Sequence, residues 1–443
     1  MTSAAPEDAR DRPAEGLPGL LDELRWRGLF HDATPGLPAR LATGRQIAAY
    51  NGFDPSGPSL HVGHLVPITA LVHLQRRGGR PVVLIGGGTG MIGDPSGTSA
   101  ERNLLDRATL EANLVGIRSQ LERFLAFDGP TAAVMVNNLD WLSEMSMLEF
   151  LRDVGKHFTI PYMLGKDSVQ SRLAGGLSFT EFSYMLLQAA DFRHLYRTLG
   201  VELQMGGADQ WGNITAGLEL IRKTEAPSAG TVRGEDPAHA LAFTLLLDER
   251  GAKFGKTAAG TSVWLDAERT TPYAFYQYWL GQADDKVGQL LRFFTLLDRP
   301  AIDVLEADQS ARPEERPAQR ALAFEVTARV HGAAAASEAE RQSREVFSGG
   351  LLSLDEAGFG AAIGELPRSS LDAAQRLSAG VAAVAAGAAA SNGDARRLIS
   401  QGGLYVNDER IASFDQPLPD AVHGRYWVLR TGKKNVRIVE RAD

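Results

Sequence analysis

Cysteine is absent from all 443 residues, which excludes disulfides, thiol nucleophiles and thiolate metal sites. Long apolar runs are missing too; none reaches the roughly 20 residues that span a bilayer. The first residues lack the apolar core of a secretory signal. Residues 1–16 are rich in Ala, Pro and charge and are expected to form a disordered leader, so the expected location is the cytoplasm, without a membrane. Internal repeats are also lacking. What remains is ordinary for a globular chain of two to four domains, with 44% hydrophobic and 23% charged residues. The net charge of −8 speaks against a nucleic-acid partner only if it is uniform, and it is not. From Asp394 onward nine basic residues outnumber seven acidic ones, so the tail is the electropositive end.

The stretch Tyr50 to His64, Y-N-G-F-D-P-S-G-P-S-L-H-V-G-H, organises the rest. A β-type run over Gln46–Phe53 breaks at Asp54-Pro55-Ser56-Gly57-Pro58, and a helical pattern starts near Leu60. Strand, turn and helix start form the entry unit of a nucleotide-binding α/β domain, with unpaired backbone N–H groups expected at the helix start as an anion site. His61 and His64 share a helical face, and Gly63 between them admits a flat ligand. The same H-x-x-H could be two surface histidines or half of a metal site. A metal would need further ligands, and no carboxylate accompanies the pair in sequence.

Downstream, Pro81–Gly86 reads as a buried parallel strand, Leu104–Phe127 as a helix and Ala132–Asn137 as a strand. Helices joined by loops follow over Met145–Arg172, then a long helix from Phe179 to Arg197. Val201–Gly206 is a strand and Ile214–Arg222 a helix, while Leu241–Leu247 begins a strand pair about the turn at Asp248–Gly251. The alternation implies a mostly parallel sheet covered on both faces. Gly88, Gly90 and Gly93 match the dinucleotide fingerprint, but Asp94-Pro95-Ser96-Gly97 breaks the helix that the fingerprint must open, so a nicotinamide cofactor is not expected.

Two constellations carry chemistry. Tyr184, Gln188 and Asp191 fall at i, i+4 and i+7 on one face of a helix whose other residues look buried. Such a stripe is either a structural network or the wall of a ligand pocket; three polar groups beside Gly-rich strand ends favour the pocket. Lys253-Phe254-Gly255-Lys256-Thr257 lies in a loop, where two lysines and a hydroxyl suit a polyphosphate, although the glycine spacing of a Walker loop is missing.

With H-V-G-H early and K-F-G-K-T late, the chain resembles class I aminoacyl-tRNA synthetases. The blocks Y-N-G-F-D-P-S, T-G-M-I-G-D-P-S-G, K-D-S-V-Q-S-R, F-T-E-F-S-Y-M-L-L-Q and G-G-A-D-Q-W-G-N-I-T-A-G narrow the resemblance to bacterial tyrosyl-tRNA synthetases. It implies a Rossmann-like parallel-sheet catalytic domain (residues 17–262, with a dimer-interface insertion at about 121–163). An α-helical anticodon-side domain would follow at 263–348, then a linker at 349–372. A small α+β RNA-binding domain like that of a ribosomal protein would close the chain at 373–443.

The implied substrates are L-tyrosine, ATP with a substrate-bound Mg2+ and tRNA(Tyr), acted on by a homodimer with no protein-held metal. Carried over by position, His61 and Ser56 would contact the departing phosphates, and His64 with Gly63 the adenosine. Lys253, Lys256 and Thr257 would close over pyrophosphate. Asn51, Asp54, Gly207 and Asp209 would line the nucleotide and adenylate site. Tyr50 and Asp191 would bond the substrate phenol, Asp94, Tyr184 and Gln188 its ammonium, and Gln210 would lie near its carboxylate. Arg396, Arg397, Lys433 and Lys434 would contact RNA.

Three positions depart from the family pattern: Thr98 for a common lysine, which shifts phosphate contact to Arg102, Pro67 on the helix after H-V-G-H, and Ala190 for an aromatic. A tryptophanyl enzyme is the neighbouring alternative, and a catalytically inactive RNA-binding paralogue the alternative of another class. Tyr50 with Asp191 suits a phenol better than an indole.

Overall fold

The computed structural model describes residues 16–94, 107–166, 169–170, 173, 175–225, 236–247, 254–255, 261–348, 350–363, 366, 368–371, 378–432 and 435–442. The polypeptide divides into two compact units, Met1–Thr271 with Tyr278–Gly332, and Pro272–Gln277 with Ala333–Asp443.

In the first unit six strands form one sheet: β1 (Phe30–Ala33), β2 (Ala48–Phe53), β3 (Arg80–Ile85), β4 (Val134–Asn137), β5 (Val201–Gly207) and β6 (His239–Phe243), in the order β1-β6-β5-β2-β3-β4. All neighbours run parallel except β1, which pairs antiparallel with β6 from Phe30↔Phe243 to Ala33↔Leu241. The central strands are nearly all apolar because helices cover both faces, and Val82, Val83, Leu203 and Ala240 are fully buried. The edge strand F-H-D-A has too few apolar residues to announce itself, and only its pairing with β6 defines it. From β2 the chain winds one way to β3 and β4, and from β5 the other way to β6. The strand order therefore switches between β2 and β5, the place where an open parallel sheet leaves a crevice at its carboxyl edge.

The helix Phe179–Leu199 matches its expected start and runs two residues further than its expected end. Ser178 and Glu181 cap its start reciprocally, and Gly200, with φ of 65°, ends it in the left-handed region where glycine carries no Cβ penalty. It packs with the helix Trp211–Glu225 over β5. After H-V-G-H there is first a short 3-10 turn, Val62–His64, and only then the α-helix Leu65–Arg76. The residues that match the dinucleotide fingerprint without being expected to act as one pass through a three-residue 3-10 turn, Thr89–Met91, with Gly93 at φ 85°. The second strand expected after the turn at Asp248–Gly251 falls largely outside the described residues.

The second unit holds another sheet, β7 (Arg368–Leu371), β8 (Leu404–Val406), β9 (Glu409–Arg410), β10 (Tyr426–Thr431) and β11 (Asn435–Arg441), ordered β7-β11-β10-β8-β9. The basic hairpin forms as β10–β11 with Thr431↔Asn435 beside the turn. Asn407 and Asp408, both at positive φ, make the tight turn between β8 and β9. Ser391 caps the helix Asn392–Ser400 by accepting from the Asp394 amide. Residues 349–372, expected as a linker, carry the helix Glu356–Ile363 and the strand β7 instead. Phe359, Ala362 and Ile363 fill a core with Val428 and Ile438 of the sheet, which a periodicity blurred by Gly, Pro and Ser had hidden. Among the described residues no helix is long and apolar enough to cross a membrane.

Candidate active site

A cavity of about 420 Å³ opens at the β2/β5 switch point, within the usual size range for a small-molecule site. The carboxyl ends of the strands supply Tyr50 to Asp54 from β2 and Gln204 to Gly207 from β5, and the Phe179–Leu199 helix supplies Tyr184, Gln188 and Asp191. Ser56, His61, Gly63, His64, Asp94, Asp209 and Gln210 complete the expected set. Every expected tyrosine or nucleotide residue that falls among the described ones lines this one cavity. Lys253, Lys256 and Thr257, and likewise Thr98, Arg102, Lys433 and Lys434, lie outside the described residues.

The dry end is built around Asp191, which is 1% exposed. Its Oδ1 accepts from the Trp141 indole at 2.7 Å and its Oδ2 from the Asn138 amide at 2.9 Å. Burial pushes this carboxyl up to about 8, against the two hydrogen bonds that favour its charge. Tyr50 stands on the middle strand pair of the sheet, with its ring 5.3 Å from Phe192. Burial, with Asp191 nearby, raises its phenol well above the ordinary value, and its hydroxyl has no hydrogen-bond partner among the described residues. An orphan hydroxyl in a buried wall costs about 1–3 kcal/mol unless a ligand meets it.

Asn138 is fully buried and fully used. It donates a second bond to Thr89 Oγ1 at 3.0 Å and accepts from the Gly88 amide at 2.7 Å. Thr89 in turn donates to Asp54 Oδ1, and the Tyr184 hydroxyl donates to Asp54 Oδ2, each at 2.8 Å. A Cβ on Gly86 would lie 1.9 Å from Asp54 Oδ1, so glycine here is what lets the carboxylate in. Tyr184 is buried beside Asp54 and Asp94 and its phenol is pushed well up, so it stays protonated. While donating to Asp54 it keeps a lone pair that can accept from an ammonium. Gln210 donates to Asp94 at 2.7 Å, so its amide is oriented by that carboxylate.

At the other end, the H-V-G-H turn binds itself. The His61 amide donates to His64 Nδ1 and the Gly63 amide to His61 Nδ1, each at 3.1 Å. A ring nitrogen that accepts carries no proton, so each neutral imidazole bears its hydrogen on Nε2. Burial and the neighbouring His61 hold His64 well below its ordinary value, which keeps it neutral. Gly63 is needed for a reason nearer than a ligand: a Cβ there would sit 2.8 Å from the His61 ring. The expectation of free backbone amides for an anion is corrected here. The amides of Leu60, His61, Val62, Gly63 and His64 all have partners, so none of them is left over for an anion.

Several supports escaped sequence reasoning. Gln120 accepts from the Leu60 amide, Asn113 donates to Pro55 O, and the segment Val263–Leu265 clamps the turn through Val62 and Leu60. Gln204, 2% exposed with an Oε1 that has no partner among the described residues, lines the cavity beside Tyr50. The only sequence hint of these was polar residues in otherwise apolar stretches. Among the described residues no group of three or more His, Asp or Glu could hold a metal ion.

Comparison with known proteins agrees with this geometry. Residues 42–348 match the model of the class I tRNA synthetases for tryptophan and tyrosine, and residues 361–439 that of a tyrosine–tRNA ligase C-terminal domain. A tyrosine–tRNA ligase of Anaeromyxobacter dehalogenans is 47% identical over 96% of this chain and its own full length. The chain belongs to the class I tyrosine–tRNA ligases.

A further tyrosine–tRNA ligase, from Staphylococcus haemolyticus, is 44% identical over 95% of this chain and 98% of its own. Among solved structures, a C-terminally truncated mitochondrial tyrosyl-tRNA synthetase of Coccidioides posadasii superposes with a TM-score of 0.63 at 31% identity, covering 73% of this chain and 91% of that one. In the terminal module Arg397 is ion-paired with Asp394, whereas Arg396 lies over the Phe414 ring at 4.2 Å.

Proposed function

We propose that this tyrosine–tRNA ligase selects its amino acid at the Asp191 end of the cavity and handles phosphate at the His61 end. One observation carries the reading: a buried Tyr50 hydroxyl without a partner among the described residues, beside the fully oriented Asp191, in the same cavity as the H-V-G-H turn. A substrate phenol would give Tyr50 its missing partner and Asp191 a further donor. Phenylalanine would leave both unmet, which is a cost and not merely a missing gain.

The substrate ammonium sits among Asp94, Tyr184 and Gln188, with Gln210 near the substrate carboxylate. A carboxylate oxygen attacks the α-phosphorus of ATP, the bond to the β-phosphate oxygen breaks, and pyrophosphate leaves with Mg2+ bound to the nucleotide and not to the protein. No enzyme nucleophile takes part. Catalysis is alignment plus charge stabilisation by the Nε2–H groups of His61 and His64, joined by Lys253, Lys256 and Thr257. Ser56 assists His61, while Asn51, Asp54, Gly63, Gly207 and Asp209 line the nucleotide path. The 3′-terminal ribose hydroxyl of tRNA(Tyr) then attacks the activated carbonyl and releases AMP.

The helical region faces the anticodon side of the tRNA, and Arg396, Arg397, Lys433 and Lys434 meet its phosphates, in the cytoplasm where tRNA is charged. The protein acts as a homodimer. Met147, Leu148 and Phe179 are 71%, 80% and 72% exposed in a single chain, more large apolar surface than a monomer usually leaves uncovered. Leu148→Asp should convert dimer to monomer in sedimentation; an unchanged dimer would move the interface elsewhere.

The reaction itself is tested by ATP–pyrophosphate exchange with tyrosine, phenylalanine and tryptophan in parallel. Exchange with tyrosine alone is expected. No exchange with any of the three, with tRNA still bound, would replace this reading by a binding-only protein.

A further inference from the structure

His194 does not line the cavity, but it packs on Trp141, whose indole donates to the cavity-lining Asp191. His194 follows Asp191 by three positions on the same helix, so the two side chains neighbour each other on one face. Its ring lies flat on the Trp141 ring, with centroids 4.3 Å apart and planes 12° from parallel. The other face of the arrangement is the hydrogen bond from that indole to Asp191 Oδ1 at 2.7 Å.

The two donors that aim Asp191 are held very differently. Asn138 is fully buried with its amide bonded on every side, so its geometry is over-determined. Trp141 sits on the short helix Leu139–Leu142, none of whose residues is buried. An indole has one N–H, directed in the ring plane, so the tilt of the ring decides whether that hydrogen reaches Oδ1. A flat aromatic neighbour sets the tilt.

We infer that His194 is a positioning residue for tyrosine selection, acting through the stacked indole of Trp141 on the orientation of Asp191. The inference rests on the reading of Asp191 as the phenol-binding carboxylate. Because His194 touches neither the cavity nor the H-V-G-H turn, its effect is confined to the amino acid: tyrosine affinity and the tyrosine-to-phenylalanine preference, not ATP use or turnover.

The test is pyrophosphate exchange in full-length protein with His194→Ala, His194→Phe, Trp141→Phe and the double variant His194→Ala/Trp141→Phe. His194→Ala should raise the tyrosine KM about three- to tenfold, the worth of one aromatic pair, and lower the tyrosine-to-phenylalanine preference by a similar factor. The ATP KM and kcat should stay within about twofold, since uniform loss of ground-state binding moves KM alone. His194→Phe keeps a flat ring and should restore the parent values. On the Trp141→Phe background, where no N–H remains to be aimed, His194→Ala should add nothing. Equal losses on both backgrounds, an unchanged preference, or a matching rise in the ATP KM would each overturn the proposal. If His194→Ala is unstable, His194→Leu keeps the bulk without the flat ring and gives the same discrimination. A parent protein without tyrosine-dependent exchange would overturn the reading of the site and this inference with it; an active parent whose His194 variants keep their preference overturns the inference alone.

Discussion

At the His61 end of the cavity the chain holds its side chains with its own neighbouring backbone, whereas at the Asp191 end every restraint arrives from far along the sequence. His61 and His64 take their hydrogen bonds from amides two and three residues away. Asp191 takes its bonds from Asn138 and Trp141, about fifty residues upstream, and Asn138 depends in turn on Thr89 and Gly88. The first arrangement forms wherever the turn forms. The second forms only when the sheet has closed, and it makes ionising the carboxyl costly, which is why burial pushes Asp191 up to about 8. On the proposed function, one end offers neutral donors to charge and the other meets a hydroxyl, and that difference separates catalysis from selection.

The sharpest way to break the comparison is His61→Asn, which keeps an acceptor for the Gly63 amide and loses the ring N–H. Adenylate formation in single-turnover experiments should fall about 10²-fold or more, the usual cost of removing one preorganised donor, with tyrosine affinity nearly unchanged. A large rise in tyrosine Kd would show that the two ends are not independent.

Asp191→Asn probes the other end. Tyrosine affinity should fall about 10- to 10²-fold, because the new amide keeps one acceptor oxygen and must turn its NH2 group towards one of the two donors. The same variant has a stability signature. Between the ordinary carboxyl value of 3.8 and about 8, the folded protein holds a proton at Asp191 that the unfolded chain has lost. Folded stability contributed by this group therefore decreases as pH rises through that window and levels off above it. The melting temperature of Asp191→Asn relative to the parent should climb from about pH 4 to about pH 8. A difference that is flat with pH would mean that the carboxyl ionises normally.

The smallest effect is expected outside both ends. Arg396→Ala with Arg397→Ala should leave pyrophosphate exchange unchanged and reduce the salt dependence of tRNA binding by about one to two in slope. The Arg397–Asp394 pair is exposed, so its loss should not alter stability measurably.

The legible part of the molecule was the part with local periodicity. The alternating strands and helices, the stripe Tyr184–Gln188–Asp191, the Ser391 cap and the terminal hairpin all follow from spacing within a few residues. Illegible were β1, which has two polar residues out of four and exists through its partner β6, and β7, hidden in a stretch that reads as a linker. Asn138 and Trp141 fall in a run, N-N-L-D-W-L, that shows no motif at all. Their role comes from the edge of β4 delivering them beside Asp191. The amides of the H-V-G-H turn were misjudged for the same reason: Gln120 and the Val263–Leu265 segment reach them across the fold.

By itself, then, the sequence determined the residue types at the site, the turn that locks both histidines into one tautomer, and the order of strands and helices, because these depend on interactions within a turn or two of chain. Which carboxyl is buried, which hydroxyl is left without a partner among the described residues, and which indole and amide aim Asp191 were decided only by tertiary structure. Burial and hydrogen-bond direction are properties of what packs against a group, and here the packing partners lie tens of residues away.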